Sequence, residues 1–349
     1  MMGPGALCRR GLKPAQWSDY NCYDFSAFWP ELTLRALSED AGQRLQAEQM
    51  LRFACESHRL HQRCYGGLFS LYGGFPPLAH WGGEQMLDAW LETGDAAWKE
   101  RCLEFGRGLG KVQNANGTFQ GIGAYKGQGM EYPQAPLPGP DKLGYWSYGL
   151  STQRHKAQFG AADLLYTLGR LRRDLKTDEF LEAERLAYRW VMEVAVRERY
   201  FPLYVPHSHC MFWPQRQHSV SALWISRYLL ECAPPEWRDV KLAQELARWA
   251  EDFRVDWSRA EGPQQGGVKP HIDGLDRGNN EPIHNNLLAA IVFERLGQET
   301  GNRLWTAKGE ALATAVLVAM HPENGYVNDG LDTANQSAVG FCVNWAPQL

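Results

Sequence analysis

The chain has 349 residues, with 36 Lys+Arg against 40 Asp+Glu and a formal net charge of −4. That balance excludes a general nucleic-acid binder, which shows a basic excess or a basic stripe. A content of 44% hydrophobic and 22% charged residues excludes bulk disorder. The 14 Trp equal the Phe and Tyr counts, an excess of indole that points towards a flat-faced ligand such as a sugar.

The chain opens MMGPGALCRRGLKPAQW. It lacks the apolar core of about 7–15 residues that a secretory signal carries. Residues 1–26 are therefore expected to form an N-terminal extension ahead of one domain spanning 27–349. The longest strongly apolar run, Ala311 to Met320, is too short to cross a bilayer. The expected location is cytoplasmic or periplasmic, with no membrane partner. Eight cysteines occur without any CxxC pair, so the expectation is reduced, mostly buried thiols rather than a zinc knuckle or a disulfide framework.

Helical periodicity dominates from there on. Leu164, Leu165, Leu168 and Leu171 share one helix face, and Leu181, Leu186, Trp190 and Val194 mark the next helix. Alternating Val/Ile/Thr runs are scarce, so the chain reads as all-α. Five helical hairpins are predicted, over 27–69, 83–119, 158–204, 217–268 and 284–327. A sixth helix is predicted to begin near Thr333.

Two local elements recur. Thr93-Gly94-Asp95-Ala96-Ala97-Trp98 returns as Thr300-Gly301-Asn302-Arg303-Leu304-Trp305, with a looser copy at Lys176-Thr177-Asp178-Glu179-Phe180. In each full copy a glycine ends one helix, Asp or Asn caps the next, and an aromatic three residues on packs back across the hairpin. A Gly-containing turn then follows each second helix: Gly66-Gly67-Leu68-Phe69, Asn116-Gly117-Thr118-Phe119, Gly266-Gly267-Val268 and Asn324-Gly325-Tyr326-Val327, with Phe201-Pro202-Leu203-Tyr204 in the third unit.

This order of hairpins, short turns and long loops resembles the α/α toroid of carbohydrate-active enzymes. It is similar above all to polysaccharide lyases of the alginate and uronan type, and more distantly to unsaturated glucuronyl and rhamnogalacturonyl hydrolases. The resemblance implies an incomplete (α/α)6 or an (α/α)5 barrel. In such a barrel the first helix of each hairpin lies inside, and the loops leading into the inner helices form the site. An open α-solenoid scaffold is the bland alternative.

Those loops hold seven of the ten histidines, together with aromatic and cationic residues. They contribute His80, Trp81 and Glu84; then Tyr145, Trp146, Tyr148, Arg154, His155 and Lys156. Further on come His207, His209, Trp213, Arg216 and His218; then His271, Asp273, Glu281, His284 and Asn285; and last Asn335. Histidine titrates near neutrality and serves as acid, base or ligand. The cations suit an anionic sugar, or else pair with neighbouring carboxylates.

Three chemistries compete. β-Elimination on a uronic-acid polymer needs a carboxylate neutraliser, a base and an acid. Asn285 with His284 or Arg154 fits the first role, and Tyr148 or His218 the others, with Tyr145 held in reserve. Substrate binding is then expected from His80, Trp81, Glu84, Tyr145, Trp146, His155, His209, Trp213, Arg216 and Asn335. Glycoside hydrolysis needs carboxyl catalysts, and Glu84, Asp273 and Glu281 are the candidates. Phe75-Pro76-Pro77-Leu78 resembles a segment of the unsaturated glucuronyl hydrolases, but Gly73-Gly74 stand where that family has an acidic pair. Metal chemistry is the third: His207 and His209 make a candidate divalent-metal site, although no cofactor is required by the first two readings. The expected enzyme is a polysaccharide lyase on an acidic glycan. A uronyl-oligosaccharide hydrolase and a non-catalytic sugar-binding scaffold are the alternatives.

Overall fold

The structure is a computed structural model that describes residues 28–64, 66–68, 83–120, 158–159, 161–197, 219–254, 280–318, 328–332 and 337–342. Among the described residues the helices pair into five hairpins: α1 Trp29–Leu37 with α2 Ala41–Cys64, α3 Gln85–Thr93 with α4 Ala96–Val112, α5 Ala162–Leu175 with α6 Leu181–Trp190, α7 Ser219–Glu231 with α8 Val240–Arg254, and α9 Ile283–Thr300 with α10 Arg303–Val318. A π-helical segment, Val191–Val196, follows α6. The chain divides into two compact units, Met1–Met192 with Tyr204–Pro214 and Glu193–Leu203 with Gln215–Leu349.

In the first unit the first helices touch in series, α1 to α3 to α5, while α2 touches α4. The sequence explains the layering. On α5 every residue from Leu164 to Leu171 is buried, the mark of a helix covered on all sides. On α4 burial is confined to one face, at Trp98, Arg101, Cys102, Phe105, Gly106, Gly108, Leu109 and Val112, with the 3.6-residue period of an outer helix. Each fully buried Leu or Phe on these faces stabilises the fold by about 1.5–3 kcal/mol. On α6 the buried positions are Glu184, Ala187 and Trp190, whereas Leu181 is 36% exposed. The expected apolar face of this helix is therefore rotated away from Leu181. Arg172 of α5 supplies the reason: it grips the fully buried Glu184 through two hydrogen bonds of 2.7 and 3.2 Å.

The repeated turn forms as expected. Gly94 and Gly301 both sit at φ +67°, in the left-handed region that favours glycine. Asp95 accepts from the Ala97 amide at 2.9 Å, and Asn302 accepts from the Leu304 amide at 3.0 Å. Thr93 and Thr300 each donate back to the carbonyl four residues earlier at 2.6 Å. Trp98 and Trp305 are buried, the latter with its ring centroid 5.0 Å from that of Phe293. The looser copy also turns, through Lys176 at φ 54°, and places Phe180 in the core. The Asn116–Phe119 turn packs on α6 so closely that a Cβ on Gly117 would lie 2.0 Å from the Leu186 carbonyl oxygen. Trp190 and Trp224 are buried as well, and Trp90 and Trp249 are half-buried. Cys55, Cys102 and Cys232 are free thiols in the interior. Burial pushes the Cys55 thiol up to about 11.

In the second unit α7 is buried almost throughout from Ser221 to Leu230 and touches α9, which packs along α10. Strands β3 Asn280–Pro282, β4 Asn328–Asp332 and β5 Ser337–Cys342 form an antiparallel sheet in the order β3-β4-β5. The described residues on either side of the helix predicted near Thr333 are strands instead: β5, Ser-Ala-Val-Gly-Phe-Cys, pairs antiparallel with β4. In the first unit a two-residue pair joins β1 Phe119–Gln120 to β2 Gln158–Phe159. These additions leave the architecture helical.

Candidate active site

The first unit brings two carboxyls to neighbouring helix N-termini. Glu84 directly precedes α3, where the partial positive charge of the helix end favours an acidic side chain. It is 2% exposed. Asp163 lies in the first turn of α5, the helix that touches α3. Its Oδ1 accepts from the Leu164 amide at 2.9 Å. Burial nevertheless lifts the Asp163 carboxyl to about 6 from an ordinary value of 3.8, against the lowering effect of those backbone donors.

One side chain bridges the Glu84 carboxyl and the backbone of Asp163. Thr167, fully buried one turn after Asp163, has its hydroxyl 3.3 Å from Glu84 Oε1 and 3.4 Å from the Asp163 carbonyl oxygen. The approach depends on Gly83, because a Cβ there would fall 2.4 Å from Thr167 Cγ2 and 3.0 Å from Phe105 Cε1. The same face of α5 continues as a polar seam. Arg170, 7% exposed, donates to Asp88 of α3 at 2.8 Å and to Asp174 of its own helix at 2.9 Å. Glu84 also lies within electrostatic reach of Arg170. On the far side of α3, Gln85 accepts from the Phe28 amide at 2.7 Å, which ties α3 to the start of α1. The Phe28 ring packs edge-on to His58 and tilted on Trp98, with centroids 5.1 and 4.7 Å away.

Chemically, a carboxyl raised to about 6 at a helix N-terminus is suited to giving and taking a proton in the neutral range. The pairing of Glu84 with α5 is not visible in the sequence. Asp163 had a local signal: an acidic residue in the helical first turn, ahead of Leu164-Leu165.

Of the sequence-predicted site residues, Glu84 is the one placed in full. It is buried at the start of α3, beside Thr167. His284 and Asn285 fall in the first turn of α9, the same kind of position that Glu84 and Asp163 hold on α3 and α5. Tyr148, Arg154, His218, His80, Trp81, Tyr145, Trp146, His155, His209, Trp213, Arg216 and Asn335 lie outside the described residues, as do His207, Asp273 and the N-terminal extension. The Glu281 backbone belongs to β3. Among the described residues no group of three or more His, Cys, Asp or Glu is placed to hold a metal ion. No helix there is long and apolar enough to cross a membrane.

No protein-family model matches the chain, and no curated protein matches it significantly. Solved structures do. A glycoside hydrolase family 76 α-mannanase of Bacteroides thetaiotaomicron superposes with a TM-score of 0.61 at 9% identity, over 95% of this chain and 83% of that one. A sugar epimerase from a ruminal bacterium gives 0.63 at 7% identity, over 94% and 85%. An unsaturated glucuronyl hydrolase of Bacillus sp. GL1 gives 0.54 at 11% identity, over 94% and 85%. The likeness shows the fold: the chain has the α/α-toroid architecture of these carbohydrate-active enzymes.

Proposed function

We propose that this chain is a carbohydrate-active enzyme whose proton donor is Asp163, and that its reaction is hydrolysis of a uronyl oligosaccharide. The observation that carries the reading is the carboxyl pair at the N-termini of α3 and α5, with Asp163 raised to about 6 and Glu84 buried beside Thr167. A carboxyl that stays protonated into the neutral range protonates a leaving oxygen, and a second carboxyl supports the charge that develops. The α-mannanase and the unsaturated glucuronyl hydrolase, both glycoside hydrolases by name, share this fold. The cationic and aromatic residues of the loops, Arg154, His155, Arg216 and Trp146 among them, suit an acidic sugar.

β-Elimination is the second reading. It keeps Tyr148, His218, His284, Asn285 and Arg154 as its residues, and the first-turn position of His284 and Asn285 on α9 favours it. No step of either reading requires a metal, and a divalent ion at His207 and His209 remains a separate proposal.

One assay separates the readings. The protein is incubated with alginate, glucuronan, pectic polymers and unsaturated uronyl oligosaccharides, and the ultraviolet absorbance of the 4,5-unsaturated uronyl group is followed. Hydrolysis of unsaturated oligosaccharides makes the absorbance fall, and Asp163→Asn abolishes that fall. A rise on an intact polymer supports elimination and overturns the hydrolytic assignment. Binding without turnover on the whole panel supports a sugar-binding scaffold.

A further inference from the structure

Thr167 has one hydroxyl proton and two acceptors in reach, Glu84 Oε1 at 3.3 Å and the Asp163 carbonyl at 3.4 Å. It can serve one of them at a time. With Glu84 ionised, the charge-assisted bond to the carboxylate is the stronger. With Glu84 protonated, the carboxyl has its own proton to donate. The threonine hydroxyl is then released to the carbonyl one turn back, a bond that threonines in helices commonly make. The side chain cannot drift from this choice, because its methyl fills the space left by Gly83 and the residue is fully buried. A β-branched side chain in a helix also has few rotamers.

We propose that Thr167 is a positioning residue for Glu84, a two-position donor whose hydroxyl follows the ionisation of Glu84, turning between that carboxylate and the backbone carbonyl of Asp163. The assignment goes beyond the carbohydrate reading, because it concerns how Glu84 is held and not what it acts on; its mechanistic use rests on that reading. Around Arg170, the cation within electrostatic reach of Glu84, stand Asp88 on α3 and Tyr166 and Asp174 on α5, and Cys102 on α4 lies within reach of the same Arg170, Asp88 and Asp174. Arg170 is held by Asp88 and Asp174. The hydroxyl of Thr167 can reorient without breaking that ion pair.

The test uses the full chain with ¹³C-labelled carboxyl groups, titrated by NMR as the parent, Thr167→Val and Thr167→Ser. Valine keeps the shape and removes the donor; serine keeps the donor. The expected result is that the Glu84 midpoint moves upward by about 0.5–1 pH unit in the valine variant, because a donor to the charged form has been lost. Serine returns it towards the parent. Where an active substrate is found, the acid limb of the kcat/KM profile shifts likewise, and kcat falls by about 10-fold while KM stays within about two-fold. An unmoved Glu84 midpoint in a folded Thr167→Val protein overturns the proposal, even if the enzyme hydrolyses sugar. A moved midpoint in a protein that turns over no carbohydrate upholds the positioning role and sinks the functional reading. Should the valine variant fail to fold, Thr167→Ala carries the same comparison.

Discussion

Gly83 and Thr167 are complementary surfaces: the methyl of one occupies the volume a Cβ on the other would need, at 2.4 Å. Phe105 closes the same space from α4 at 3.0 Å. Gly83→Ala must therefore push α3 and α5 apart at the level of Glu84. The expected outcome is a loss of about 1–3 kcal/mol in urea denaturation. Turnover on the assay substrate should fall further than that loss of stability explains, since the carboxyl pair straddles the displaced contact.

Asp163 makes stability depend on pH with a defined sign. Its folded value, about 6, lies above its ordinary value of 3.8, so the folded state holds the proton more tightly than the unfolded chain. This contribution favours folding below about pH 4 and is lost as pH rises through about 6. Asp163→Asn should flatten the stability profile across that window. Above it the variant should be more stable than the parent by roughly 1–3 kcal/mol, while losing about 10²-fold or more in turnover. Urea midpoints measured from pH 4 to pH 8, paired with assays on the same samples, check both halves.

The repeated turn offers a matched pair of substitutions. A Cβ on Gly94 or on Gly301 meets nothing within 4 Å, so alanine at either position tests the left-handed backbone alone. Gly94→Ala and Gly301→Ala are each expected to cost about 1 kcal/mol, through conformation rather than collision. Asp95→Ala and Asn302→Ala are expected to cost a similar amount by removing the N-cap acceptor. Thermal denaturation of the four variants decides the matter. A large difference between the two turns would show that their surroundings, and not the shared motif, set the cost.

Glu184 is 0% exposed, and Arg172 holds it through two hydrogen bonds. Arg172→Ala leaves a carboxylate in the interior without that partner and should destabilise the fold by about 3 kcal/mol. The double variant Arg172→Met, Glu184→Leu should recover much of the loss, because replacing both charges by apolar groups removes the desolvation penalty as well. The comparison is a denaturant titration of parent, single and double variants at one pH.

The hairpins were legible because their signals are local. Gly94, Asp95 and Trp98 act within six residues of one another, and the same physics recurs at Gly301, Asn302 and Trp305. The strand pair β4–β5 was missed because its stability comes from cross-strand pairing rather than from a long alternating run. The carboxyl pair was half legible. Glu84 stood out beside His80 and Trp81, but its partner on α5 is 79 positions away in the sequence. Asp163 was hidden in plain view as the polar start of a leucine-rich helix. Arg170 and Asp88 look like ordinary helix-surface charges until the packing of α3 on α5 pairs them and buries Arg170. Leu181 shows the converse: its spacing matched the apolar face, yet the Arg172–Glu184 pair decided which side of α6 turned inward.

Glu84 and Asp163 stand on separate hairpins, each closed by its own short turn. Neither hairpin contains the pair, so the pair comes into being only when α3 and α5 dock. Its lifetime is then that of a packing contact rather than of a helix. Opening at Gly83 and Thr167 would part the two acids while both hairpins remained folded, so the energy that keeps them together is local and smaller than the energy that keeps the protein folded.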